Sequence, residues 1–180
     1  MRAKAVIGYL ALVLLSFLLH AAKPVNTMYY SLLPVLMLVF PIMVGHRVKL
    51  LFSIKDFLLG LIVSIIILAP YYVIVGGNMT TITVYVFLFQ LLGVSLPEEF
   101  FFRGFLQDST GRNFRAVLLV SLLFAVAHVP KVLFFGDWMS LLTFFPSLVM
   151  GWLYMKTNNI LPGAIFHLLA NLIHQGNRYF

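Results

Sequence analysis

The stretch Leu91-Leu92-Gly93-Val94-Ser95-Leu96-Pro97-Glu98-Glu99-Phe100-Phe101-Phe102-Arg103-Gly104-Phe105-Leu106 decides the fold. It reads as part of an apolar membrane segment with two acids and one arginine set into it. A charged side chain at the centre of a bilayer costs at least about 2.5 to 3.5 kcal/mol, so intramembrane acids are functional candidates by default. On an α-helix Glu99 and Arg103 stand four apart on one face and can pair, whereas Glu98 points about 100° away and has no helical partner. Ser95-Leu96-Pro97-Glu98 also fits a capping box, in which Glu98 merely caps a helix restarted at Pro97.

The surrounding composition agrees with a membrane location. Of 180 residues, 62% are hydrophobic and only 9% charged, and the mean hydropathy is +1.04. Soluble domains carry about 25% charged residues, so a soluble fold is excluded. Apolar runs at Val6 to Ala22, Met28 to Gly45, Phe57 to Val75, Ile82 to Gln107, Ala116 to Val129, Trp138 to Met155 and Ile160 to His174 predict an all-α, polytopic transmembrane helix bundle of about seven spans. The run at Ala116 is short, which predicts a tilted or partly buried element. One transmembrane domain over residues 1–180 is expected, with no transporter-like repeat and no low-complexity linker. Gly76-Gly77-Asn78, Gly136-Asp137 and Asn158-Asn159 punctuate span ends. Arg2 and Lys4 precede the first apolar run as in a signal peptide, but Ala21-Ala22-Lys23-Pro24 is a weak cleavage site, so the segment is expected to remain as a helix.

Twelve Lys and Arg against five Asp and Glu give a net charge of +7. In a membrane protein this excess reports cytoplasmic loops, and no nucleic-acid partner is expected. With the N-terminus inside, Arg2, Lys4, Arg47, Lys49, Lys55, Arg112, Arg115 and Lys156 fall on the inner side, against Lys23, Lys131 and Arg178 outside. The positive-inside rule therefore predicts a cytoplasmic N-terminus and an outer C-terminus. Zero cysteines exclude a cysteine nucleophile, a thiolate zinc site and a disulfide framework.

Two histidines also lie in apolar runs: His128, closing Phe124-Ala125-Val126-Ala127-His128, and His167, opening His167-Leu168-Leu169-Ala170-Asn171. His167 and Asn171 share a helical face by their spacing. Taken singly, a membrane histidine is most simply a helix-to-helix hydrogen bond. Counted from the inner span ends at helical rise, however, Glu98 and His167 lie about 10 Å deep, Asn171 about 16 Å and His128 about 18 Å. One shared layer suggests a single cavity in the inner half of the membrane, opening toward the cytoplasm.

A carboxylate, two imidazoles and an amide suit activation of water for hydrolysis. Glu98 can take the proton, a histidine can hold the water, and His167 with Asn171 can stabilise a tetrahedral oxyanion. A metal site is the competing chemistry, with Glu98, His128 and His167 as zinc ligands. Against it, the paired-histidine zincin signature is absent and Asn171 stands where a second histidine ligand is expected. A proton-coupled carrier using Glu98 as a relay, and a noncatalytic cluster kept for packing, are the remaining alternatives.

The blocks Glu98-Glu99-Phe100-Phe101-Phe102-Arg103, Phe124 to His128 and His167 to Asn171, in this order and each on an apolar segment, resemble those of the CPBP intramembrane proteases. This CAAX-protease and bacteriocin-processing group, also called the Abi family, includes the type II CAAX prenyl proteases. The resemblance covers the C-terminal half, about residues 82–175, together with Gly151 and Ile160-Leu161-Pro162-Gly163; the first 80 residues carry none. It implies an intramembrane endopeptidase that cuts near the membrane-associated C-terminus of an anchored or lipidated protein or peptide. In that role Glu98 and His128 activate the water, His167 and Asn171 form the oxyanion site, and Glu99 and Arg103 support them. It implies no bound cofactor, with zinc as the alternative, and a site in the bilayer of a prokaryotic cell membrane. Small prokaryotic members also include bacteriocin self-immunity proteins, the noncatalytic alternative. The chain is short for the group, so its substrate is expected to differ from prenylated proteins.

Overall fold

The computed structural model describes residues 1–74 and 82–176. The Gly76-Gly77-Asn78 turn, the Val75 end of the third run and Arg178 lie outside the described residues. Among the described residues there is no strand, and seven apolar helices follow one another. They are α1 (Ala3–Ala22), α2 (Thr27–Met43, with a 3-10 first turn), α3 (Ile54–Ile74), α4 (Val84–Thr110), α5 (Phe114–Phe135), α6 (Trp138–Thr157, also opening in 3-10 form) and α7 (Leu161–Gly176). Five are long and apolar enough to cross a bilayer alone; α2 and α7 are shorter apolar helices. The protein is an all-α integral membrane protein.

Contacts at the helix ends show that successive helices alternate in direction. At one end Lys4 Nζ donates to the Val44 carbonyl at 3.1 Å, the Ile160 N–H donates to the Lys49 carbonyl at 3.1 Å, and His46 Nε2 meets the Gly104 carbonyl at 2.8 Å. Asn159 fastens the same end, its amide donating to the Leu51 carbonyl at 2.7 Å and to Asp56 Oδ2 at 2.8 Å. The start of α1, the α2–α3 loop, the last turns of α4 and the α6–α7 loop are thereby gathered together. At the opposite end Lys23 stands 5.4 Å from the Phe135 ring centroid, and the Tyr71 hydroxyl meets His174 Nδ1 at 3.2 Å. That end joins the last residues of α1, α5, α3 and α7.

Side chains such as Ile7, Leu14, Ile65 and Ile66 are exposed, a face suited to lipid, where apolar surface needs no cover. Helix association in lipid then depends on close packing rather than on expulsion of water. Glycine supplies it: a Cβ on Gly60 would stand 2.8 Å from the Pro162 backbone, and one on Gly151 3.0 Å from Val117. The Gly60 contact also shows that α7 begins well inside α3, about 9 Å beyond Ile54 at helical rise.

Two helices depart from expectation. The short run at Ala116 extends into a 22-residue α5, because the chain breaks at His128 and resumes over Val129–Phe135 with Pro130 in the new first turn. Proline lacks the N–H that would continue the ladder and is favoured at a helix start. Second, α4 does not restart at Pro97. Ser95 has helical φ −62° and ψ −48° and makes no side-chain cap, so the capping box is not formed. Instead the ladder takes the wider i→i+5 π register over Phe89–Ser95 and Phe100–Gln107, on either side of the proline. Such π segments are uncommon and are found often at functional sites.

Alternating direction through seven helices puts Lys55 and Met28, both exposed, on opposite sides of the membrane. The absence of native cysteine makes this directly measurable with a membrane-impermeant thiol reagent on Lys55→Cys and Met28→Cys in sealed vesicles. Labelling of Met28→Cys from outside and of Lys55→Cys only after permeabilisation is expected from the charge bias. Labelling of both from one side would mean a miscounted span.

Candidate active site

Halfway along α4 the two glutamates meet the first turns of α7. Glu99 is wholly buried and faces two nitrogen partners: its Oε2 lies 3.4 Å from Arg103 Nε and its Oε1 lies 3.3 Å from His167 Nδ1. These are ion-pair separations whose alignment falls short of hydrogen bonds. Glu98 is not free, as the helical wheel suggested: its Oε2 stands 3.6 Å from His167 Nε2. One imidazole is thus held between the two carboxylates. The wheel placed Glu98 and Glu99 about 100° apart, and a ring with nitrogens on opposite edges bridges that divergence.

Three features let a carboxylate survive where Glu99 lies. Arg103, itself wholly buried, anchors it while donating through an Nη to Ser147 Oγ at 3.2 Å. The Glu99 carboxylate also abuts Gly163 in the first turn of α7, where a Cβ would stand 2.6 Å from Oε2. The positive end of a helix favours an anion there. Finally, the Arg103 guanidinium lies 5.1 Å from the Phe124 ring centroid, a cation–π separation.

Phe124 is the hub of the site. Besides Arg103 it touches Phe102 at 4.8 Å, His128 at 4.9 Å and His167 at 6.0 Å between ring centroids. His128 owes its position to the break in α5. Its own N–H turns to the Ala125 carbonyl at 3.0 Å, and its Nδ1 sits 2.8 Å from the Phe124 carbonyl. A carbonyl can only accept, so Nδ1 carries the hydrogen and Nε2 keeps the lone pair of the neutral ring. His128 reaches His167 through the Phe124 ring they share, and no hydrogen bond or ion pair joins it to Glu98 among the described residues.

Asn171 also belongs to this face of α7, one turn beyond His167, and its Nδ2 donates to Gln90 Oε1 at 3.1 Å. Gln90 was not singled out from the sequence, because α-helical spacing does not align it with Glu98. Ser147 was likewise unmarked, a serine among many, and Gly163 stood only within the Ile160-Leu161-Pro162-Gly163 block, with no sign of its approach to Glu99.

The depth reading needs correction. Glu98 sits near the middle of the 27-residue α4, about 18 Å from its Thr110 end at helical rise and not about 10 Å, because that helix runs on past Gln107. The segment between the site and that end, Phe101 to Gln107, is buried at every position, so the expected opening toward the Lys4 and Lys55 end is filled by packed side chains. Glu98, His128 and Asn171 are only partly buried. No group of three histidines and acids converges in a metal-holding arrangement among the described residues, and both ring nitrogens of His167 already face carboxylates.

Residues 80–173 match the family model described as type II CAAX prenyl endopeptidase Rce1-like. The chain belongs to that family. The match takes in α4 to α7 and every site residue named above. A curated relative, the UPF0177 protein YxdF of Lactococcus lactis subsp. lactis (strain IL1403), is 33% identical over 84 residues, which cover 46% of this chain and 45% of that protein. The matched region thus spans less than half the length of that relative. No solved structure matches.

The Gly163–Glu99 approach yields a prediction with a definite sign. An alanine in a helix normally gains up to about 1 kcal/mol over glycine, but here its Cβ would enter the carboxylate. Gly163→Ala is expected to lower stability by about 1 to 3 kcal/mol through overpacking. Gly93→Ala, whose Cβ meets the Phe89 ring at 3.3 Å, serves as control and is expected to stay within about 1 kcal/mol of wild type. Thermal melting in detergent reads both, and equal melting of the two variants would contradict the close approach.

Proposed function

We propose that the protein is an intramembrane endopeptidase that hydrolyses a peptide bond near the membrane-associated C-terminus of an anchored or lipidated protein or peptide. The observation that carries this reading is the His167 imidazole held between Glu98 and Glu99 at mid-bundle, 3.6 and 3.3 Å away. Family membership supports it.

In this reading Glu98 accepts a proton from water as the water oxygen bonds to the substrate carbonyl carbon. His128, with Nδ1 committed to the Phe124 carbonyl, offers Nε2 to orient that water. The carbonyl oxygen becomes negative and is met by the Asn171 amide and by the Nε2–H of His167, which at 3.6 Å from Glu98 is not spent in a hydrogen bond to it. Collapse of the tetrahedral intermediate breaks the C–N bond, and Glu98 returns its proton to the departing amine. Glu99 and Arg103 do not touch the reacting atoms; they hold His167.

No step in this reading needs a metal, and the chemistry rests on a carboxylate, two imidazoles and an amide. We place the protein in a prokaryotic cell membrane with its N-terminus cytoplasmic, following the charge bias. A noncatalytic role in the same family, such as self-immunity, makes the opposite prediction for Glu98.

Glu98→Gln keeps the shape of the side chain and removes its basicity. It is expected to melt near wild type and to lower cleavage by about 10² to 10⁴, the usual contribution of a general base. The measurement compares C-termini of the membrane proteome in cells carrying wild type or Glu98→Gln, followed by cleavage of the peptides found, with purified protein and chelator present. Full activity of Glu98→Gln would favour the noncatalytic reading. Wild type inert until zinc is restored would favour the metal site.

A further inference from the structure

We infer that Gln90 is a positioning residue of this site: its side-chain carbonyl holds the Asn171 amide in the one orientation that aims an N–H at the developing oxyanion. The inference rests on the hydrolytic reading above and adds a residue to it. Gln90 is 4% exposed, although its neighbours Leu88, Phe89 and Leu92 are exposed to lipid. A primary amide buried in an apolar span needs a partner, and its Oε1 accepts from Asn171 Nδ2 at 3.1 Å.

The π register makes this contact possible. Eight residues separate Gln90 from Glu98, and on an α-helix that interval overshoots two turns by about 80°. Over Phe89–Ser95 the bonds run i→i+5, each turn holds more residues, and eight residues come closer to two full turns. Gln90 and Glu98 are thereby turned toward the same helix, α7, where Asn171 follows His167 by one turn. The fourth helix thus grips both proposed oxyanion donors, His167 through its glutamates and Asn171 through Gln90.

The chemistry explains why orientation matters. A carboxamide presents N–H groups on one side and a carbonyl on the other, and a half-turn about its last bond exchanges them. With Gln90 presenting Oε1, which can only accept, Asn171 turns its Nδ2 toward it and leaves the second Nδ2 hydrogen for the substrate oxygen. Without that acceptor, the Asn171 carbonyl can turn toward the oxyanion and repel it. A residue serving only to join two helices would change stability and leave turnover alone.

The test is a kinetic cycle on Gln90→Met and Asn171→Ala, singly and together, using an acyl-anchored peptide library read by mass spectrometry and then the best-cleaved peptide. Losing one orienting hydrogen bond is expected to lower kcat about tenfold in Gln90→Met, with KM little changed and melting retained. In the Asn171→Ala background Gln90→Met should cause no further loss. If Gln90→Met melts too low to assay, Gln90→Asn, which keeps an amide but withdraws the acceptor by one methylene, takes its place with the same expectation. Wild-type kcat in the Gln90 variant, or losses that multiply in the double variant, overturns the inference while leaving the protease reading intact. Full activity of Asn171→Ala also overturns the inference, because it removes the donor that Gln90 would orient, while no cleavage by wild type overturns the protease reading with it.

Discussion

An arginine with no exposed surface sits in the middle of this membrane protein, and the architecture around it follows from the need to neutralise it. Arg103 is matched by Glu99 one helical turn away at 3.4 Å, by Ser147 from α6 and by the ring of Phe124 from α5. Glu99 in turn meets the first turns of α7 through His167 and Gly163. Four helices are therefore tied to one buried pair. Replacing such a pair with apolar residues is often neutral or stabilising, so stability alone does not require these charges. Their placement instead fixes one ring, His167, whose two nitrogens would otherwise be free to rotate away from Glu98.

Backbone irregularity and chemistry coincide along α4 and α5. Pro97 lies next to Glu98 between two π segments, and Pro130 follows His128 at the break in α5. In both places a missing N–H disturbs the regular ladder, and a polar side chain occupies the disturbed turn. At His128 the consequence is explicit: the ring takes the Phe124 carbonyl and its tautomer is fixed. In lipid, freed backbone groups must find partners within the protein, which is one physical reason for polar side chains to gather where the helices are irregular.

The sequence made the bundle legible because the apolar runs are long and the charges few, and hydropathy needs no knowledge of packing. The Glu99–Arg103 pair was legible for a similar reason, since it is local and obeys the helical period. Family residues in the C-terminal half were legible from their order and spacing, and the family match covers them. What failed were the readings that sought a partner on the same helix or needed the ladder to stay regular. Glu98 was assigned no partner because its partner comes from α7, Gln90 was passed over because the π register realigns it, and α5 looked short because Pro130 interrupts its pattern without ending its course. The depth of the site was misjudged for another reason. Helix ends were taken from hydropathy, whereas α4 continues through polar Gln107 to Thr110 and α7 starts inside the bundle.

The most direct test of the central role of the buried pair is a stability cycle on its two members, measured by melting in detergent. Glu99→Gln and Arg103→Met alone each strand one charge, at a cost of about 3 to 5 kcal/mol. The double variant strands none, so most of the loss in either single variant is expected to return, although the freed His167 should leave the double variant catalytically poor. Losses that simply add in the double variant would contradict the account, because they would show that Glu99 and Arg103 stabilise the fold through separate contacts and not through each other.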